Sequence, residues 1–167
     1  AREPAAHPAT KGPQTAGTSY FGVIDSQGNL FSCIPSEGAK SGPVVPGTGM
    51  ALSWRGFQAK TERRHPAALG PHKRPRLTPS PSLVMRDGEP VMVLGGYGGD
   101  HIPQGTLQVF LNMVEFGFDP QEAVEAPRFY SYSFPNWAYP SAYNPGLLRA
   151  ESRIDAAVLQ GLRGLGH

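Results

Sequence analysis

Apolar and polar positions fall into short strand-like runs in the first half of the chain and into helical periods in the second. Residues 1–17, AREPAAHPATKGPQTAG, show no period; Pro and polar residues predict a flexible arm. From Thr18 onward, residues 19–25 and 30–34 form two apolar runs around Ser26-Gln27-Gly28-Asn29 and predict a hairpin. The Gly-rich turns of SGPVVPGTG lead into a short predicted strand, GMALSW. Residues 57–75 are charged, then punctuated by Pro, and read as a long loop. SLVMR and PVMVLGG are two more strands, joined by Asp87-Gly88, a dipeptide suited to a two-residue hairpin turn.

The period then changes. After GGYGGDH, Pro103 suits the first turn of a helix; Leu107, Phe110, Leu111 and Val114 recur at helical spacing, and Gly117 ends it. In FDPQEAVEA, Asp119 is placed as an N-cap, Pro120 as the first helical residue, and Glu122 to complete a capping box. Residues 128–150 are aromatic and Pro-rich and read as irregular. A last helix carries Ile154, Ala157, Val158, Leu162 and Leu165, and the chain ends at LGH with no further strand, as a fragment would. Strands followed by helices favour an α+β or layered-sandwich architecture over a βαβ array.

Composition narrows the function classes. Gly 21 and Pro 18 make up 39 of 167 residues, about 23% against about 12% in average usage. Many turns are implied, while eight Phe, six Tyr and two Trp imply a folded body. Net charge is +2, and the short basic pieces ERRH and HKRPR are too small for a nucleic-acid stripe. The apolar runs fall well short of the roughly 18 residues of a membrane span, and residues 1–17 have no apolar signal-peptide core. The single Cys33 excludes an internal disulfide and reads as a structural thiol. The five His are scattered, so neither a metal nor a cofactor is expected. GGYGGDH follows a strand and precedes a helix, but no Lys-Ser/Thr follows and no G-x-G-x-x-G forms, so both phosphate-loop patterns fail.

Four stretches together resemble the small, catalytic subunit of the gamma-glutamyltransferase family, a branch of the N-terminal-nucleophile hydrolases. They are TSYFGVIDSQGN, KRPRLTPSPSLVMRDG, LGGYGGDHI and NMVEFGFDPQEAVEAPRF, in family order over about residues 18–130. The resemblance implies a four-layer αββα sandwich shared with a large subunit from the same precursor. It implies a self-cleavage between Gly17 and Thr18, making residues 1–17 an arm or precursor linker and 18–167 the small subunit. Higher oligomers of such heterodimers are compatible with it. A threonine hydroxyl needs an adjacent base, and a freed α-amine, with a reference pKa near 8, supplies one from the same residue. By motif position, Ser36 corresponds to the hydroxyl that hydrogen-bonds the nucleophile, and Gly98 and Gly99 to the backbone donors of an oxyanion hole. Plainer readings stand beside these: Thr18 as a β-former, Ser36 as a turn hydroxyl, Gly98 and Gly99 as a strand-to-helix turn.

The chain departs from the family pattern where the substrate's α-amino group is held. The expected acidic pair is Arg55-Gly56, the expected Asn is Gly38, and of a Ser-Ser pair only Thr78 keeps a hydroxyl, Leu77 replacing its partner. A guanidinium repels an ammonium and attracts an anion. These changes, with SGPVVPGTGMALSWRG and GGYGGDHIPQ, look closer to the oxamate amidohydrolase-like branch, and imply a small carboxylate-bearing substrate such as an α-oxo acid or oxalyl compound. Relatives in that wider group also include natural-product enzymes that hydrolyse a carbon–carbon bond beside a keto acid. Arg55 also reads as one half of a surface salt bridge. Residues 128–145 would line a pocket or pack on the large subunit.

Overall fold

In chain order, β1 (Gly17–Thr18), β2 (Phe21–Ile24), β3 (Leu30–Cys33) and β4 (Ser36–Glu37) precede a 3-10 turn at Arg55–Gln58. Next come β5 (Ser82–Arg86), β6 (Glu89–Leu94), α1 (His101–Val114), α2 (Pro120–Glu125), β7 (Phe129–Ser131), β8 (Leu148–Ala150) and α3 (Ala156–Gly164). This is a computed structural model, and it describes residues 17–37, 43–51, 53, 55–74, 76–137 and 141–166. The expected arm therefore lies outside the described residues, apart from Gly17.

The strands form four antiparallel ladders of two: β1 with β4, β2 with β3, β5 with β6, and β7 with β8. The β2–β3 turn forms because the Asp25 carboxylate accepts from the backbone N–H of Gln27 and Asn29, each at 2.9 Å, so a side chain replaces ladder partners. The β5–β6 turn is closed by Asp87 and Gly88, at φ 52° and 87°. Positive φ at both central residues matches the right-handed twist of the flanking strands.

Helix α1 starts where the Gly98 and Gly99 carbonyls accept from His101 and Ile102 N–H, both at 3.2 Å. Helix α2 carries the expected capping box: Glu122 N–H donates to Asp119 Oδ1 at 2.8 Å, and Asp119 N–H to Glu122 Oε2 at 3.0 Å. Asp155 caps α3 through Ala157 N–H.

The aromatic segment 128–150 is more ordered than its sequence suggests, because β7 and β8 pair within it. Two glutamines on α1 serve as the other neighbour of β7. Gln104 accepts from Ser131 N–H at 2.8 Å and donates to the Ser131 carbonyl at 3.2 Å. Gln108 does the same for Phe129, at 3.1 and 2.8 Å. Four helical residues rise about 6.0 Å, close to the roughly 6.6 Å between alternate strand residues, so an i, i+4 amide pair fits a strand edge.

The expected strand GMALSW is not formed among its described residues; only an isolated bridge, Val44 to Ala51, lies there. Gly47 and Gly49 take φ of 78° and 70°, and Thr48 Oγ1 bonds both Val45 and Met50 backbone, winding the segment into a turn. Leu52 and Trp54 lie outside the described residues. The expected loop 57–75 opens on the 3-10 turn and contains a bridge from Lys60 to Ala68.

Among the described residues the core is small: Ile34, Ala68, Ile102, Val109 and Ala123 are its buried apolar members. Phe21, Val23, Phe31, Leu83 and Met85, all on strands, stand about half exposed. Apolar faces of this kind mark where more protein packs.

Replacing Gln104 by Ala leaves the half-buried Ser131 amide and carbonyl unpaired, and should cost about 1–3 kcal/mol in urea unfolding. Gln108→Ala, whose bonds reach water, should cost clearly less.

Candidate active site

The antiparallel register of β1 and β4 sets Thr18 directly opposite Ser36. Opposed residues of such a pair share a face, and Thr18 Oγ1 lies 2.7 Å from Ser36 Oγ. Eighteen residues apart in sequence, the two hydroxyls share a hydrogen bond. The ladder is extended by Ser19 N–H donating to the Pro35 carbonyl at 3.0 Å. Arg55 comes to the same place from the 3-10 turn, and its guanidinium donates to the Ser36 carbonyl. Thr18, Ser36 and Arg55 thus form one continuous group. On the same turn the Gln58 side chain is 1% exposed, and both its amide atoms lack a partner among the described residues.

A second group forms at the end of β6. The Tyr20 ring lies on Gly95, where an added Cβ would sit 2.3 Å from Tyr20 Cδ2. Gly98 and Gly99 follow at φ of 121° and 62°, conformations that favour glycine. A Cβ at Gly99 would also meet Trp137 Nε1 at 2.8 Å. Among the described residues neither glycine donates its N–H to protein, so two donors stand open at the head of a fourteen-residue helix. Asp100 anchors the turn by taking the Arg76 guanidinium on Oδ1 and Trp137 N–H on Oδ2, the latter at 2.9 Å. Thr78, buried and two residues beyond Arg76, belongs to the segment this ion pair ties down. Gly38 lies outside the described residues.

Two cavities meet at Gly98. An apolar groove of about 750 Å³ runs between β6 and α1, past Tyr20, Gly96, Val109 and Tyr130. A polar pocket of about 270 Å³ lies beyond Gly98, bordered by Tyr132, Phe134, Trp137 and Arg149. His101 lines both. Its Nε2 shares a hydrogen bond with the Tyr132 hydroxyl, and its ring lies 4.6 Å from that of Tyr130, centre to centre. Burial pushes the His101 pKa down from 6.5, Asp100 opposes that shift, and Arg149 adds to it. Burial also raises the Tyr130 phenol above its ordinary value. Among the described residues no three His, Cys, Asp or Glu side chains cluster as metal ligands would.

Sequence reasoning passed over Asp100, His101, Tyr132, Trp137 and Gln58. Asp100 and His101 stand within GGYGGDH, directly after the chosen glycines. The other three carry no spacing that links them to the turn.

The fold is α+β, that of the N-terminal-nucleophile hydrolase and acylase structures it superposes on. The gamma-glutamyltranspeptidase family model matches residues 2–167, and the chain belongs to that family. The glutathione hydrolase-like YwrD proenzyme of Bacillus subtilis (strain 168) is 32% identical over 164 residues, which are 96% of this chain and 30% of YwrD. The solved structure of LmbA2991HD matches with a TM-score of 0.84 at 36% identity, over 97% of this chain and 29% of that one. Cephalosporin acylase from Bacillus halodurans matches with a TM-score of 0.73 at 32% identity, over 89% of this chain and 26% of that one. The chain spans under a third of the length of each.

With its folded pKa below 6.5, His101 takes up its proton in the unfolded chain first. Stability should therefore fall as pH drops below about 6.5. His101→Gln should shrink the difference in urea midpoint between about pH 7.5 and 5.5; an unchanged difference would assign the acid sensitivity to other groups.

Proposed function

We propose that residues 18–167 are the small catalytic subunit of an N-terminal threonine hydrolase that cleaves an amide or acyl bond of a small carboxylate-bearing substrate, such as an α-oxo acid or oxalyl compound. The observation that carries this reading is the Thr18 hydroxyl bonded to Ser36 at 2.7 Å, with the Arg55 guanidinium on the Ser36 carbonyl.

Activation begins with Thr18 Oγ1 attacking the Gly17 carbonyl carbon. The Gly17–Thr18 C–N bond breaks, an ester forms, and water hydrolyses it to a Gly17 carboxylate and a free Thr18 amine. Residues 1–17 then remain as the tail of the preceding chain. In turnover the Thr18 amine takes the hydroxyl proton, and Oγ1 attacks the substrate carbonyl. The oxyanion is met by the N–H groups of Gly98 and Gly99, the leaving group departs with the proton, and water releases the acyl group from Thr18. Donors of this kind are each worth about 2.7–4 kcal/mol in the transition state. Ser36 steadies the nucleophile. Arg55 receives the substrate carboxylate, Thr78 supplies a hydroxyl to the same pocket, and Gly38 leaves room where an amide side chain would stand.

The partner is a large subunit from the same precursor. Support comes from the uncovered apolar strands β2, β3 and β5, and from YwrD, a proenzyme of which this chain spans 30%. The name of that relative also favours a second reading, glutathione hydrolysis. Arg55 counts against it, since its charge opposes the ammonium of a gamma-glutamyl group.

Intact-mass measurement of the full-length protein should show a cut at Gly17–Thr18, and Thr18→Ala should abolish both the cut and turnover. Retained turnover in that variant would overturn the mechanism. Arg55→Ala should raise the KM for an oxalyl anilide about tenfold or more. Fast release of aniline from a gamma-glutamyl anilide would instead establish the second reading.

A further inference from the structure

The pocket beyond Gly98 has a chemistry of its own. It shares Gly98 and His101 with the apolar groove, yet neither Arg55 nor any residue of β1 to β4 borders it. It therefore adjoins the proposed carbonyl site from the side away from Arg55. Asp100 is the one carboxylate among its described lining residues, and that charge is already matched by Arg76 and by Trp137 N–H. Arg149 is the lining cation. Its guanidinium sits 4.6 Å over the centre of the Tyr132 ring, and among the described residues it has no carboxylate partner. A stacked guanidinium keeps its edge N–H groups available for a bidentate anion. The Tyr132 hydroxyl is bonded to His101 Nε2, which fixes the ring that carries Arg149. His101 in turn lies against the glycine turn, where a Cβ on Gly98 would stand 3.5 Å from His101 Cβ. The remaining wall is aromatic, from Phe134 and Trp137. At about 270 Å³, the space is just under the roughly 300 Å³ at which pockets for drug-sized ligands begin. That suits one ring with a small substituent.

We propose that this pocket is the leaving-group subsite and takes a planar carboxylate, with Arg149 meeting the carboxylate and Phe134 and Trp137 flanking the flat body. The assignment rests on reading Gly98 and Gly99 as the turn that polarises the substrate carbonyl. It makes the preferred substrate anionic at both ends: Arg55 meets the acyl side and Arg149 the side that departs.

The test uses the full-length protein and does not depend on turnover. Equilibrium dialysis compares 4-aminobenzoate with aniline, the same ring without the carboxylate. The expected result is at least about tenfold tighter binding of 4-aminobenzoate, and loss of that advantage in Arg149→Ala. Photolabelling with 4-azidobenzoate, followed by peptide mapping, should place the label in residues 131–137 or 144–149. Equal binding of the two compounds, an advantage that survives Arg149→Ala, or labelling elsewhere would each overturn the proposal. The comparison in the unsubstituted protein decides the matter even where Arg149→Ala does not fold. Catalysis adds a second arm: release of 4-aminobenzoate from 4-carboxyoxanilate should exceed release of aniline from oxanilate about tenfold in kcat/KM. Turnover of both anilides at equal rates removes the subsite and leaves the proposed function standing. Selective, Arg149-dependent binding without turnover of either keeps the pocket and removes the oxalyl reading.

Discussion

The Tyr20 ring resting on Gly95 is the contact on which the arrangement of the site depends. No side chain fits at residue 95, since its first carbon would lie inside the ring's van der Waals shell. The same approach is repeated at Gly22, where a Cβ would stand 2.6 Å from Val93 Cγ2 and 2.9 Å from the Tyr20 hydroxyl. Ser32 adds a hydrogen bond to the Leu94 carbonyl at 3.2 Å. Two glycines and one serine thus let the β2–β3 hairpin close onto β6. Thr18 stands two residues before Tyr20, and Gly98 three residues after Gly95. One contact therefore holds the strand that bears the hydroxyl and the strand that delivers the glycine turn in a common frame, although they come from ladders without a shared hydrogen-bonded strand.

Charge is distributed over this frame with a consistent sense. Arg76 is matched by Asp100, so that pair braces the turn. Arg55 donates to a backbone carbonyl, which orients the guanidinium without cancelling its charge. Arg149 lies over an aromatic face, which likewise positions it and leaves the charge in place. Two cations held by neutral groups on either side of a pair of open backbone donors make a region of positive potential. Such a region raises the local concentration of anions and lowers that of ammonium groups.

Much of this was legible in the residues. Asp87-Gly88, the Asp119 capping box and the period of α1 are local signals, and local chemistry decides them. Ser36 and Arg55 were reachable through motif order, and the ladder register puts both beside Thr18. The short strands β7 and β8 were not legible. Each has three residues, sixteen residues separate them, and no turn dipeptide announces their pairing. The edge of β7 is satisfied by glutamines of a helix that precedes it by more than twenty residues. The spacing of Gln104 and Gln108 was visible, but an i, i+4 amide pair on a helix usually faces water, and only the tertiary contact distinguishes this one. Strand character was over-read in GMALSW for the opposite reason. Its apolar residues fit a strand, but two glycines at positive φ and a threonine that bonds its own neighbours favour a turn.

Those glutamines bear on the chemistry as well. Backbone N–H groups without protein partners are costly when dry, and they stabilise a developing oxyanion only if they are already aimed before the reaction begins. A loop alone would relax toward other partners. Here the turn runs without a break into α1, and α1 is fastened to β7 by four hydrogen bonds from two side chains. Gly105, one residue beyond Gln104, brings the helix within 3.3 Å of the Tyr130 hydroxyl, measured from where its Cβ would stand. At the other end of the turn, Tyr20 clamps Gly95. The donors are thus suspended between two fixed points, a strand end and a helix head, each locked by a glycine that accepts no larger residue without movement. That suspension, more than the glycines' own flexibility, is what makes the turn suitable as a preorganised site.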